Sequence, residues 1–111
     1  MTATPTRGDA VALTRALVAI DSRNPSLVSD GPGERACAVA LAQTLERWGF
    51  RVEMQETVAA RPNVVARIGR TGARALLFNG HLDTVGVEGM IHAPCDAEVR
   101  DGRVYDAAPR T

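Results

Sequence analysis

The stretch that most constrains the fold is Ala75-Leu76-Leu77-Phe78-Asn79-Gly80-His81-Leu82-Asp83-Thr84-Val85, an apolar run that stops at glycine and then presents a histidine and an aspartate two residues apart. A run of this length, apolar on both faces, suits an inner strand covered by helices on each side. In extended backbone, residues i and i+2 point to the same face, so the His81 imidazole and the Asp83 carboxylate are expected side by side at the strand end. A metal-ligating imidazole needs its other ring nitrogen held by a carboxylate or carbonyl, which fixes its tautomer. The spacing alone leaves a second reading open. Asn79-Gly80 is a turn dipeptide, and His81 and Asp83 are equally at home as polar residues on the exposed face of a hairpin.

The elements before this stretch read as two helices and two strands. Asp9 is placed to cap a helix through about Asp21, with Leu13, Leu17 and Ile20 on one face beside Val11 and Val18, an apolar stripe read as a core face. Pro25 disfavours helical geometry at Asn24, so Asp21 to Ser26 is a connection. A second helix runs from Gly31-Pro32-Gly33-Glu34 to Trp48, with Cys37, Leu41, Thr44, Leu45 and Trp48 in a stripe and Gly49 as the left-handed stop. Trp48 and Phe50 suit a core seal better than a ligand platform. Arg51 to Val58 and Asn63 to Ile68 read as an antiparallel strand pair joined by Ala59-Ala60-Arg61-Pro62. Asp101-Gly102 is a turn between two short strand-like pieces, Ala97 to Arg100 and Arg103 to Tyr105. The expected architecture is a layered α/β domain, a mixed β-sheet with flanking helices, with the site beyond the carboxyl end of the inner strand.

Composition narrows the partners. The 111 residues allow one domain with one core, and 13 basic against 13 acidic residues give no electrostatic case for nucleic acid or an acidic membrane. Cys37 and Cys95 show no paired spacing; Cys37 is expected as a buried thiol. Thr2 to Gly8 is expected to fray. No signal-peptide pattern opens the chain, so a soluble, cytoplasmic protein is the expectation. In the segment after Val85, His92 with Cys95 or Asp96 has ligand chemistry, but a loop histidine is more often solvated.

The string Leu76-Leu77-Phe78-Asn79-Gly80-His81-Leu82-Asp83-Thr84-Val85 resembles the signature of the dinuclear-zinc amidohydrolases and peptidases, the family of acetylornithine deacetylase, succinyl-diaminopimelate desuccinylase, aminoacylase and glutamate carboxypeptidase. The likeness extends to the first helix, to Ser22 to Pro25 in a loop that the family places near its substrate cleft, to Gly33-Glu34, to Trp48-Gly49-Phe50 and to Asp101-Gly102-Arg103-Val104-Tyr105. It implies hydrolysis of the amide bond of N-acyl amino acids or small peptides with two zinc or cobalt ions. It makes His81 a metal ligand and Asp83 the catalytic-site carboxylate that orients the ring. The alternative from another class is a non-catalytic α/β domain that binds a partner or self-associates, or the product of a pseudogene.

The end of the chain departs from the family. Relatives follow the tyrosine matching Tyr105 with Gly-Arg-Gly-x-x-Asp-Met, whose aspartate bridges the metals; here Asp106 to Thr111 stand instead, and by register that aspartate falls at Thr111. The family's general-base glutamate, its other carboxylate ligands and its distal histidine would lie further on. The expectation is an N-terminal portion of a catalytic domain, truncated before the bridging motif and inactive as this chain. Asp-Ala-Ala-Pro-Arg-Thr-stop can be written GAC GCG GCG CCG CGG ACA TGA, and the same bases in another frame encode Arg-Gly-Ala-Ala-Asp-Met. A one-base deletion is therefore expected, and nucleotides after Tyr105 that encode no such string in any frame refute it.

Overall fold

The computed structural model describes residues 4–87 and 97–105. The first helix, α1 (Ala10–Val18), begins where the sequence places it: the Asp9 carboxylate accepts the Ala12 N–H at 2.9 Å, satisfying one of the free donors of the first turn. It ends earlier than expected, in a tightened turn where Ile20 N–H donates to the Leu17 carbonyl. Its apolar stripe is not a full core face. Leu13, Leu17, Val18 and Ile20 are only half-buried, and Val11 is 56% exposed.

The second helix, α2 (Arg35–Arg47), carries the core. Cys37, Ala38, Ala42, Thr44 and Trp48 are buried, while Leu41 and Leu45 of the expected stripe are half-buried. The helix starts at Arg35, so Pro32 lies ahead of the first turn rather than in it. Its end is a Schellman motif. Gly49, at φ 95°, donates to the Glu46 carbonyl and Phe50 donates to the Leu45 carbonyl, so two otherwise free carbonyls are satisfied by a residue that tolerates the left-handed region. Trp48 seals the core, and its indole N–H donates to the Pro5 carbonyl at 2.9 Å. That bond, with the Arg47–Thr4 contact, ties down a terminus whose composition suggested fraying.

Strands β1 (Arg51–Val58) and β2 (Arg61–Arg67) form an antiparallel pair in the register Arg51 opposite Arg67 through Gln55 opposite Asn63. The register shifts between Gln55 and Val58, and Ala60 takes φ 62° in the turn. The pair packs against α2. A second hairpin, β3 (Val99–Arg100) and β4 (Arg103–Val104), turns on Asp101 and Gly102 at φ 53° and 71°, the two positive φ values of a type I′ turn.

The described residues therefore make a small α/β fold with two helices and two small antiparallel sheets, in place of the expected layered mixed sheet. The principal correction concerns Ala75 to Asn79. These residues form no strand, and Leu76, Leu77 and Phe78 are 80%, 84% and 86% exposed. A strand exists only by pairing. Here a cavity of about 550 Å³ lies against β2, lined on one side by Asn63 to Ala66 and on the other by Leu77 to Asp83, and no described backbone fills it. No helix among the described residues is long and apolar enough to cross a membrane.

Candidate metal-anchoring site

Since residues 75–79 are unpaired, the order of the His81 region comes from elsewhere. It comes from the connection after α1. Thr84 N–H donates to the Ser22 carbonyl at 3.0 Å and Asn24 N–H donates to the Thr84 carbonyl at 2.9 Å, so that Arg23 and Thr84 form a parallel bridge. On the other side of the same loop, Gly33 N–H donates to the Arg23 carbonyl at 3.0 Å. Residues 22–24 thus run between 31–33 and 82–84. The approach is close enough that a Cβ on Gly31 would lie 2.6 Å from the Arg23 carbonyl oxygen, so glycine is required there.

Side chains stiffen this frame. The Arg23 guanidinium forks onto the Asp21 carboxylate at 2.8–3.1 Å and holds that carboxyl below its usual range. Arg61 Nε donates to both oxygens of Glu34 at 2.7 and 2.8 Å. That hydrogen bond raises the guanidinium's pKa, and the negative charge of Asp83 adds to the effect.

His81 and Asp83 project to the same side. The imidazole Nδ1 lies 2.9 Å from the Asp83 carbonyl oxygen and 3.3 Å from its Oδ1. A carbonyl oxygen only accepts, so Nδ1 carries the proton, and in the neutral ring Nε2 is the nitrogen with the lone pair. The side chain of His81 is 83% exposed, which leaves Nε2 open to a ligand; that of Asp83 is 27% exposed. The holding group differs from the one the resemblance implies: the shorter contact comes from the backbone carbonyl of Asp83, with its carboxylate behind.

The residue that sequence reasoning passed over is Asn24. Its Nδ2 donates to Asp83 Oδ2 at 2.8 Å, across 59 positions of sequence, while its Oδ1 accepts the Ser26 N–H at 2.8 Å. The only signal was the Asn-Pro-Ser turn chemistry, which marks a bend without saying what it faces. His92, Cys95 and Asp96 lie outside the described residues, as does Thr111. Among the described residues no group of three or more His, Cys, Asp or Glu is placed to hold a metal ion.

Over 107 aligned residues the chain is 36% identical to succinyl-diaminopimelate desuccinylase of Gluconacetobacter diazotrophicus, covering 92% of this chain and 26% of that protein. It spans about a quarter of its relative's length. No family model and no solved structure matches the chain. The similarity supports a partial relationship to a hydrolase.

Tested against a metal, the donor set fits in part. Zinc sites use three or four protein ligands. Here one imidazole stands exposed, and no second or third ligand stands beside it among the described residues.

Proposed function

We propose that the chain is the N-terminal part of the catalytic domain of a metal-dependent amidohydrolase that removes the acyl group from N-acyl amino acids, the chemistry in the name of the desuccinylase it resembles. His81 binds a zinc or cobalt ion through Nε2, and Asp83 holds the ring. The observation that carries this reading is the Nδ1 contact of His81 with Asp83 at 2.9 Å, which leaves the exposed nitrogen as the donor. A bound metal supplies Lewis acidity to the amide carbonyl and acidifies the attacking water. With one ligand among the described residues, the chain alone is expected to hold metal weakly and to turn over no substrate.

The test is cobalt titration followed by NMR. Paramagnetic broadening centred on His81 and lost in His81→Ala is the expected result, and broadening that ignores His81 refutes the assignment. With added zinc or cobalt the chain is expected to leave N-succinyl-diaminopimelate intact; hydrolysis that disappears in His81→Ala would overturn the view that further donors are needed.

A second reading is favoured by the exposure of Leu76, Leu77 and Phe78: self-association of the domain through this extended edge. Light scattering on the wild type and on Leu77→Lys separates the two, since only the second reading requires the variant to dissociate.

A further inference from the structure

We propose that Asn24 is the positioning residue of this site, holding the Asp83 carboxylate so that its Oδ1 reinforces the Nδ1 proton that the Asp83 backbone carbonyl selects. The inference rests on the reading of His81 as a ligand through Nε2. Both ends of the Asn24 amide are committed. Its Oδ1 accepts the Ser26 N–H at 2.8 Å, which fixes which way the amide faces and leaves Nδ2 to donate to Asp83 Oδ2 at 2.8 Å. Its backbone N–H is anchored on the Thr84 carbonyl at 2.9 Å, next to the residue it orients. Asn24 therefore has little freedom left. With Oδ2 taken, Oδ1 is the oxygen turned toward His81 Nδ1, at 3.3 Å.

The chemistry of the group matters. A neutral amide orients a carboxylate without cancelling its charge, so Asp83, which the Arg61 guanidinium also feels through space, stays negative beside Nδ1 and favours a proton there. A cation in the same place would compete for that charge. The nearby guanidinium of Arg61 directs its Nε to Glu34 instead.

The experiment reads the His81 tautomer directly, by long-range proton–nitrogen NMR on the full chain in mildly alkaline buffer. Wild type is expected to hold the proton on Nδ1. Asn24→Asp keeps the acceptor for the Ser26 N–H but sets a carboxylate against Asp83. It is expected to lower the Nδ1–H to Nε2–H ratio by about fivefold, the ratio commanded by one hydrogen bond of ordinary strength. Combining Asn24→Asp with Asp83→Asn exchanges donor and acceptor but turns a neutral amide oxygen toward Nδ1, so it is expected to recover part of the wild-type ratio. Asn24→Ser, which keeps a turn-forming hydroxyl too short to reach Asp83, is the second variant should the first not fold, and the same loss is expected. An unchanged ratio in a folded Asn24 variant, or a double variant that restores nothing, overturns the proposal. A wild-type His81 protonated on Nε2 overturns both this proposal and the ligand reading. A tautomer that responds to Asn24 without cobalt broadening at His81 supports the positioning role and refutes only the metal.

Discussion

Replacing Gly31 by alanine tests whether the stacked loops hold the site together. The added Cβ would lie 2.6 Å from the Arg23 carbonyl oxygen, 3.0 Å from the Asn24 carbonyl carbon and 3.1 Å from the Arg23 carbonyl carbon. The closest of these is roughly 1 Å short of van der Waals contact, and all three atoms are backbone, so no side chain can swing aside. Crowding of this kind costs about 1–3 kcal/mol. Relief by moving residues 22–24 away also weakens the Gly33-to-Arg23 hydrogen bond, for about 1 kcal/mol more, so the expected destabilisation is ~2–4 kcal/mol. In urea, with a slope of about 1–3 kcal/mol per molar for a small domain, the midpoint should fall by about 1–2 M. NMR of the folded fraction should show the largest shifts at Asn24, Asp83 and Thr84. A midpoint within about 0.2 M of wild type, a difference worth well under 1 kcal/mol, would refute the claim that this loop contact frames the site.

Other perturbations separate the remaining contributions. The Asp21 carboxyl, held low chiefly by the Arg23 side chain, contributes stability that is present above its unfolded pKa and lost as pH falls through its folded value. Urea midpoints should therefore decline below about pH 4, and less steeply in Asp21→Asn; equal slopes would show the fork to be inert. Cys37 behaves oppositely, since burial raises its thiol pKa: its contribution is full below the unfolded value and lost in alkali, and native protein should react with a thiol reagent only at its opening rate. The buried Thr84 hydroxyl has no partner among the described residues, so Thr84→Val should stabilise by about 1 kcal/mol in thermal melts; destabilisation would show that the hydroxyl is satisfied.

What was legible in the sequence was whatever local chemistry decides. Asp9 caps because its side chain reaches an N–H three residues on, Gly49 stops α2 because a left-handed residue is needed there, and Asp101-Gly102 turns because both take positive φ. The stripe of α2 read correctly at Cys37, Thr44 and Trp48. Ala75 to Asn79 did not read correctly, because an apolar run states what it needs on its two faces and not whether a neighbour is present to supply it. The Asn24–Asp83 contact was illegible for a different reason: the two residues stand 59 positions apart and are brought together by the loop ladder, for which the sequence has no periodic signature.

These two failures bear on each other. Had the site been built as the tip of a paired strand, exposure of Leu76, Leu77 and Phe78 would have removed its support, because a strand without neighbours fixes nothing beyond its own end. Instead His81 and Asp83 adjoin Thr84 along the chain, and backbone hydrogen bonds of 2.9–3.0 Å tie Thr84 to Ser22 and Asn24, and Arg23 to Gly33. Such bonds do not depend on side-chain rotamers or on what occupies the cavity beside β2. The imidazole is therefore aimed by the connection between the helices, and this donor coexists with an apolar segment that stands exposed among the described residues.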